Sequence, residues 1–407
     1  MERVVVTGMG LISCLGTELD EVSAALREGR CAVRVSEMRL GSGFRSALTT
    51  SLPDLDPKAE LARIHRRYMP DAAIFGAMAA NRAMRTGRLE REQVARPDVG
   101  IIIGNDSSVK PIPKMLEILE KHGETRFLGS TAIIQSMTST VSMNLGPYLG
   151  AQGINMSISS ACSSGANAIG LGYQQIRAGA QRMVFAGGTQ EDSWLGAAAF
   201  DAINALSARH EAPESAVRPF DKERDGLVPG MGGAMLVLES LTSARRREAP
   251  IFGEVVGYGS CSDGGHLTLP TGEGAQRSMQ LAMQDAGVAQ TEIDYINAHA
   301  TGTVEGDRAE ATAIHEIFGA DGPPVSSTKA LTGHECWMCG ASEAIYSFLM
   351  MRDGFLAANL NFTGFDNETP PIHIIPETVE AQPRTILSNS FGFGGTNASL
   401  ILQRWDD

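Results

Sequence analysis

The chain of 407 residues lacks several features that would point to particular classes of protein. No apolar run approaches the roughly 18 residues of a membrane span, so we predict no membrane segment. There is no basic excess either: 34 Lys and Arg stand against 47 Asp and Glu, which gives a formal net charge of −13. Nucleic-acid binders usually show the opposite balance. The composition therefore argues against a nucleic-acid partner. It does not exclude a local basic patch that binds an acidic partner.

Cysteine and targeting signals are also scarce. The six cysteines are too sparse for a disulfide framework and fit buried thiols or catalytic groups in a reducing compartment. Residues 1–16 lack the basic start and the small-residue cleavage site of a signal peptide, and they resemble a buried strand running into a glycine turn. We therefore predict a cytoplasmic protein.

The rest of the sequence has the pattern of a large α/β protein. Hydrophobic residues make up 43% and charged residues 20%, which is enough apolar side chain for a sizeable core. Short β-branched runs alternate with stretches of helical periodicity, which predicts crossover connections and a largely parallel sheet. Strands are predicted at residues 4–6, 99–103, 183–185, 235–238, 251–256, 295–296 and 385–387, and helices at 71–87, 164–179, 274–287, 306–319 and 341–354.

A faint internal repeat divides the chain into two halves. A helix and a strand at 71–87 and 98–103 are matched by a helix and a strand at 274–287 and 294–296. Cys162 precedes a long helix in the first half, and His334 precedes one in the second. A two-fold duplication would place these helices back to back, with their N-termini near one point. The segment from 105 to 150 has no counterpart and is interpreted as an insertion.

Cys162 stands in the run SSACSSGA, between an apolar strand and a helix of small residues. A helix N-terminus carries about half a positive charge and free N–H groups. Both favour a thiolate, which is the better nucleophile. The alternative is a buried structural cysteine in a tight turn.

His299 stands in the run NAHATGTVEGD, just after a predicted strand. We expect it in an exposed loop at the C-terminal edge of the sheet, where α/β proteins place ligands. Thr301 and Thr303 offer hydroxyls to a polar ligand, and the alternative is a loop histidine with capping threonines.

Two further motifs follow toward the C-terminus. In STKALTGH, Lys329 precedes His334 at a predicted helix start and can fix it through a polar network; the alternative is a solvated lysine. The run NSFGFGGTNA is a glycine-dense loop with Phe391 and Phe393. Such a loop can turn N–H groups toward an oxyanion and can swing an aromatic ring over a pocket mouth. A phosphate loop is excluded because no Gly-Lys-Ser/Thr follows.

In this order, and together with RVVVTGMGLIS near the start and RPFDKERDGLVPGMGGAMLVLE in the middle, the four motifs resemble the β-ketoacyl-[acyl-carrier-protein] synthases. These are the condensing enzymes of fatty-acid and polyketide assembly, and the resemblance covers nearly the whole chain. The pair of histidines is similar to that of the elongating bacterial type I enzymes, because initiating synthases carry Asn in place of the second His and thiolases use a second Cys.

The resemblance implies a thiolase-like fold of two pseudo-symmetric α/β halves that form a layered α-β-α-β-α core. The N-terminal half, residues 1–250, would carry the nucleophile and the insertion, and the C-terminal half, residues 251–407, would carry both histidines. The implied reaction is a decarboxylative Claisen condensation of malonyl-carrier with an acyl group held as a thioester. It needs no metal or redox cofactor, because the carrier protein brings the phosphopantetheine.

The resemblance also assigns roles to residues that match the family's motifs. Cys162 matches the nucleophile, and Phe393 matches the aromatic gate. The backbone N–H groups of the same two residues match the oxyanion donors. The remaining matches are the catalytic pair His299 and His334, the supporting Lys329, the substrate contacts Thr301, Thr303 and Phe391, and the structural acids Asp307 and Glu343.

The chain departs from the family in two places. The family's GHSLGAAG is replaced by GHECWMCG, so that Glu335, Trp337 and Met338 stand where small or apolar residues are usual in the first turn of the helix behind the site. Cys336 and Cys339 then form a C-x-x-C, which predicts a redox pair, half a zinc site or two packed thiols. Residues 105–139 also differ, and in the family this segment lines the acyl tunnel and the dimer interface, which leaves acyl length and pathway open.

The resemblance implies an acidic acyl carrier protein as partner and a homodimer, with a heterodimer of related subunits as the alternative. A basic run on a predicted helix, Arg63, His65, Arg66 and Arg67, is the candidate docking face, or else a solvated surface. Two other functions compete. A non-catalytic partner subunit typically loses the nucleophile, and a thiol hydrolase would leave the second histidine and Lys329 without a role.

Overall fold

A computed structural model describes residues 1–406. Its strands are β1 Val4–Ile12, β2 Arg34–Val35, β3 Leu48–Thr49, β4 Val99–Gly104, β5 Asn155–Ile158, β6 Met183–Gln190, β7 Gly232–Ser240, β8 Gly253–Ser262, β9 Tyr295–Asn297, β10 Val325–Ser326, β11 Phe355–Leu356, β12 Val379–Glu380, β13 Thr385–Gly392 and β14 Thr396–Gln403. Its helices are α1 Leu19–Glu28, α2 Glu37–Leu40, α3 Pro57–Glu60, α4 Arg63–Arg66, α5 Asp71–Thr86, α6 Arg91–Val94, α7 Pro111–His122, α8 Ala132–Ser136, α9 Thr140–Leu149, α10 Ser164–Arg177, α11 Trp194–Ala202, α12 Leu241–Arg246, α13 Glu273–Ala286, α14 Val304–Phe318, α15 Lys329–Thr332 and α16 Cys339–Asp353.

Ten strands form one mixed sheet in the order β10-β9-β13-β14-β8-β1-β7-β6-β4-β5. Strand β4 is parallel to β5 and β6, and β9 is parallel to β10 and β13. The other neighbours are antiparallel, including the hairpin of β13 and β14. The prediction of a largely parallel sheet is therefore wrong, because the crossovers build only the outer part of each half and antiparallel strands fill the centre.

The two halves repeat the same topology. The first contributes β5-β4-β6-β7-β1, which in sequence order is third, second, fourth, fifth and first; the second contributes β10-β9-β13-β14-β8 in the same order. They join where β1 pairs with β8, through Val5 with Glu254 and Val6 with Gly253. This confirms the two pseudo-symmetric α/β halves, whereas a domain boundary at residue 250 stays a prediction.

Helices cover the sheet in layers. Helices α5 and α9 bury apolar side chains against β4 and β6 on the outer face of the first half, and α13 and α14 do so against β9 and β13 in the second half. Between the halves lie α10 and α16, whose buried residues contact strands of both. The order α-β-α-β-α confirms the predicted thiolase-like layering.

The two central helices meet closely at their N-terminal ends. A Cβ on Gly340 of α16 would lie 2.7 Å from the backbone nitrogen of Ala166, and one on Gly165 of α10 would lie 3.1 Å from that of Ala341. Any larger residue at either position would push the helices apart. The small residues therefore bring the ends of α10 and α16 to one point, as the repeat predicted.

The insertion between residues 105 and 150 lies on the outside of the first half and holds α7, α8 and α9. Helix α7 has no buried residue, whereas α9 packs on the core. Across residues 1–406, none of the helices has the length and apolar character needed to cross a membrane.

Candidate active site

Cys162 lies at a sharp corner between β5 and α10. It comes two residues before the helix, and Ala161 adopts a left-handed backbone with φ of 50°. Neighbouring groups hold the corner: the Ala161 N–H donates to Asp106 Oδ2 at 3.0 Å, and Thr396 Oγ1 donates to the Ser160 carbonyl at 2.8 Å. The corner presents the sulfur to a cavity while burying most of the residue.

The second half supplies the histidine that faces this sulfur. His334 Nε2 lies 3.0 Å from Cys162 Sγ. The main chain of His334 is fixed on both sides, since its N–H donates to the Val228 carbonyl at 2.7 Å and its own carbonyl accepts from the Gly230 N–H at 2.8 Å. The main chain of His334 is thus fixed by a bridge to residues 228–230, and not by a helix start as the sequence predicts.

His299 completes a cluster of three. Its ring centroid lies 5.3 Å from that of His334, with the rings nearly perpendicular. One ring nitrogen of each histidine and the sulfur of Cys162 all lie within 4.8 Å of one another. The structure therefore brings together one side chain from the first half and two from the second.

His299 is buried, and the prediction of an exposed loop is wrong. The cause is Glu310 on α14, whose two carboxylate oxygens accept the N–H groups of His299 at 2.9 Å and Ala300 at 2.7 Å. Asn389 donates to the same carboxylate at 3.1 Å. The sequence analysis missed Glu310, although its position three residues after Asp307 puts both acids on one helix face.

Burial decides the protonation of this cluster. It raises the pKa of Cys162 from 9.0 to about 12, although Lys329 and the N–H groups of Cys162 and Phe393 act in the opposite direction. That rise corresponds to about 4 kcal/mol, more than the ~0.3–1 kcal/mol that a helix end typically supplies. The expected thiolate is therefore a thiol at rest.

The two histidines are also uncharged. Burial lowers the pKa of both well below the usual value, and the cation of Lys329 lowers it further. Two neutral imidazoles and a thiol occupy the cavity end. The His334 nitrogen is placed to accept the thiol proton, and both rings can donate N–H groups to a developing oxyanion.

Lys329 lies in the interior, which excludes the solvated alternative. It pairs with Glu343, and both side chains are almost completely buried. Burial alone would lower the pKa of Lys329, but the Glu343 carboxylate leaves it raised, while burial raises the pKa of Glu343 to about 7. The positive charge of Lys329 lowers the pKa of both histidines.

A cavity of about 370 Å³ leads to this cluster. Phe393, 42% exposed, stands at its wall, and the ring centroid of Phe391 lies 6.0 Å from that of His299. Thr301 and Thr303 also line the cavity, with their hydroxyls 3.0 Å apart. The cavity has an apolar aromatic side and a hydroxyl side.

Asp307 shapes the loop that carries these threonines. Its carboxylate accepts the N–H of Gly302 at 3.1 Å and that of Phe220 at 2.8 Å. Burial raises the pKa of Asp307 to about 6. Through these two hydrogen bonds to backbone N–H groups, Asp307 fixes the loop.

The unusual run after His334 is not the first turn of an α-helix. Cys336–Met338 forms a 3-10 turn, Cys336 has a left-handed φ of 44°, and α16 begins only at Cys339. Both thiols are free and buried, and Cys339 Sγ donates to the Cys162 carbonyl at 3.4 Å. Within the described residues, neither cysteine joins a group of three potential metal ligands.

The basic run lies apart from the cavity. Arg63 and Arg67 are exposed and Arg66 is half-buried, with its Nε donating to the Leu61 carbonyl at 2.9 Å. None of the three, nor His65, lines the cavity. Their role in docking stays a prediction.

Solved structures with the same fold define the class of protein. A β-ketoacyl synthase from Burkholderia phymatum STM815 matches with a TM-score of 0.95 at 37% identity, covering 100% of both chains. The ishigamide ketosynthase/chain length factor matches with a TM-score of 0.93 at 32% identity and the same full coverage. Fold and site together are those of a ketosynthase.

The sequence comparisons then give the family. Residues 1–244 match the N-terminal domain of beta-ketoacyl synthases and residues 252–363 match the C-terminal domain. The chain is 40% identical over 410 residues to 3-oxoacyl-[acyl-carrier-protein] synthase 1 of Escherichia coli (strain K12), covering 100% of both. The chain belongs to the β-ketoacyl synthase family, which confirms the resemblance and the acyltransferase class predicted from its motifs.

Proposed function

We propose that this protein is a 3-oxoacyl-[acyl-carrier-protein] synthase. It transfers an acyl chain from a carrier thioester to Cys162 and condenses it with malonyl-carrier. The observation that carries the proposal is the contact of a buried thiol with one of two uncharged imidazoles at the end of a cavity. Fatty-acid synthesis is the first pathway to test, and the likeness to the ishigamide ketosynthase keeps a polyketide-type pathway open.

The first half-reaction needs a base because the thiol is un-ionised at rest. His334 Nε2, at 3.0 Å, accepts the proton as the sulfur attacks the acyl thioester carbonyl, and this proton leaves with the pantetheine thiol. The N–H groups of Cys162 and Phe393, which act on the sulfur, are placed to hold the tetrahedral oxyanion.

In the second half-reaction the malonyl thioester loses carbon dioxide, and negative charge develops on its thioester oxygen. His299 donates an N–H bond to that oxygen, and His334 does so in the tautomer that carries its proton on Nε2; a donor of this kind contributes about 3–4 kcal/mol. The enolate carbon then attacks the acyl carbonyl and expels the Cys162 thiolate, which takes up one proton from water to return to the resting thiol. Thr301 and Thr303 on the cavity wall are placed for the pantetheine arm, and Phe393 for the gate.

The non-catalytic partner subunit is the weaker alternative. Such a subunit needs neither nucleophile nor histidines, yet all three side chains are present and in contact here. The buried ion pair of Lys329 and Glu343 beside these side chains also favours a working site. Removing two charges from water costs free energy, and a site that uses the charge gives a reason for that cost.

We propose that a second copy of the chain pairs with β5. This strand forms the edge of the sheet, and Asn155 and Met156 on it are exposed; unpaired edge strands of this kind invite pairing. Light scattering that gives the mass of one chain would contradict the homodimer.

We further propose that the enzyme works without a metal, in the cytoplasm, with Arg63, Arg66 and Arg67 as the docking face for an acidic carrier. Cys162, His299 and His334 offer a ligand set that Zn²⁺ could also use, so activity that survives chelation is the required control. Reversing Arg66 and Arg67 to Glu should raise KM for carrier-bound substrate but not for a small thioester.

The test of the function is acyl transfer to Cys162→Ala. The wild-type protein should gain the mass of one acyl group when mixed with acyl-carrier, and the variant should gain none. Cys339→Ala is the matched control, since it removes a neighbouring buried thiol and leaves the nucleophile. Acylation that persists in Cys162→Ala would reject the assignment.

A further inference from the structure

A second, much smaller cavity adjoins the first. Its volume is about 30 Å³, and Phe200 lines both cavities. Cys336, Trp337 and Ser107 form part of the lining. Space of this size holds about two water-sized groups. It adjoins the first cavity at Phe200, and we call it the inner cavity.

The order of substrates makes this inner cavity important, and the argument here depends on the proposed function. Acyl-carrier and malonyl-carrier reach Cys162 in turn through the same outer cavity. The acyl group on the sulfur must therefore leave that route free when the second carrier arrives. The inner cavity, separated from the outer one by the half-buried Phe200, is the space into which a chain can turn.

The largest side chain in the lining of this space is that of Trp337. It stands where the resembling family has glycine, and its Nε1 donates to Ser107 Oγ at 3.2 Å. The turn that carries it packs closely against two glycines, and the turn therefore has no space to shift in their direction. A Cβ added to Gly188 would lie 2.7 Å from the Trp337 carbonyl oxygen, and one added to Gly165 would lie 3.0 Å from it. The indole is thus fixed at both its backbone and its ring nitrogen.

The remaining lining disfavours a long apolar chain for a different reason. Glu191 is buried, and its Oε1 accepts the N–H groups of Val109 and Lys110. Its Oε2, like Gln190 Oε1, is buried and finds no hydrogen-bond partner among residues 1–406. Methylene groups packed against these oxygens would leave them without water or any other donor.

We propose that Trp337 is a specificity-determining residue, which limits the acyl group carried on Cys162 to a short chain by closing the cavity behind Phe200. The roughly 30 Å³ beside the indole has room for only the end of a short chain. A longer chain collides with the indole.

The experiment measures acylation of Cys162 by intact mass, using chains of two to twelve carbons linked to the Escherichia coli acyl carrier protein. Each rate is divided by that of the four-carbon chain in the same variant, so that a general loss of folded protein cancels. The variants are Trp337→Phe, Trp337→Leu and Trp337→Ala. Trp405→Ala is the control, because Trp405 contacts Arg3 and Arg245 and lines neither cavity.

In the wild type, chains of eight carbons or more should load at least about tenfold more slowly than the four-carbon chain, which is the lower end of the discrimination that one clashing methylene gives. Trp337→Phe and Trp405→Ala should keep that profile. Trp337→Leu should relax it in part, and Trp337→Ala should bring the eight-carbon rate close to the four-carbon rate.

Two results would overturn the inference while leaving the proposed function intact. One is a wild type that loads twelve carbons as fast as four, and the other is a Trp337→Ala or Trp337→Leu variant that keeps the wild-type profile. Failure of the wild type to acquire any acyl group would instead count against the proposed function.

Discussion

The two halves of the molecule use the same position of their repeated fold in different ways. In the first half, the corner before α10 is short: Cys162 is followed after one residue by the helix. In the second half, the chain passes His334 and then makes a 3-10 turn before α16 begins at Cys339. Each corner contains one non-glycine residue with a left-handed backbone, Ala161 and Cys336.

The difference shows how a repeated fold can build an asymmetric site. The short corner keeps the sulfur at the helix end, where backbone N–H groups can act on it. The longer one carries the imidazole beyond its own helix, so that Nε2 reaches the sulfur at 3.0 Å. It also carries a buried acid, Glu335, whereas the first corner has serines on both sides of Ala161 and Cys162.

The largest effect should come from replacing the two histidines one at a time. His334→Ala should slow both acylation and decarboxylation, since its nitrogen contacts the un-ionised thiol. His299→Ala should slow only decarboxylation, by about 10²–10³-fold for a lost oxyanion donor. Intact mass follows the first step, and carbon dioxide release from malonyl-carrier follows the second. Equal acylation in both variants would mean that His334 is not the acceptor of the thiol proton.

A smaller effect is expected from the buried pair that supports the second corner. Lys329→Met leaves Glu343 without its cation, and breaking such a pair typically costs about 3–5 kcal/mol of stability. Unfolding in urea measures the loss. The double variant Lys329→Met with Glu343→Gln should recover most of it, and a double variant as unstable as the single one would show that the pair's charge is not the cause.

The smallest effect concerns the pH dependence that Glu335 adds. Burial raises the pKa of this carboxyl from 4.5 to about 8, against hydrogen bonds from Ser342 and Tyr346. The folded state therefore keeps a proton that the unfolded state loses above pH 4.5. The stabilisation is complete below that pH and is lost toward pH 8, at about 1.4 kcal/mol per pH unit.

Glu335→Gln should flatten this slope between pH 7 and 8, where the carboxyls of Glu310 and Glu343, with pKa values of about 7, contribute less. Urea unfolding at each pH gives the measurement. The exposed Glu377→Gln is the control and should keep the wild-type slope. An unchanged slope in Glu335→Gln would mean that the carboxyl is ionised in the folded protein.

Local sequence patterns located the five longest helices and seven of the fourteen strands that the structure describes. The predicted strand 99–103 and helix 71–87 agree with β4 and α5 to within one residue. The patterns did not give strand direction, because hydrophobic periodicity is the same for parallel and antiparallel pairs. The run NSFGFGGTNA is predicted as a loop, but only residues 393–395 form the turn, and the rest of the run belongs to strands β13 and β14.

The motifs predicted which side chains would meet, but not their environment. Desolvation depends on everything that surrounds a group, and no local run of residues shows it. Hence Cys162 was expected as a thiolate and His299 in an exposed loop. The burial of Lys329 and the part played by Glu310 likewise depend on partners 11 to 14 residues away on other elements.

The joining of the two halves bears on how such a catalyst could have arisen. Either copy on its own would provide a sulfur without its imidazoles or imidazoles without their sulfur. A single-copy ancestor would have needed two chains side by side, each contributing the same residue to a symmetric centre. Because one polypeptide carries both halves, the centre needs no symmetry, and its two corners differ in length and conformation.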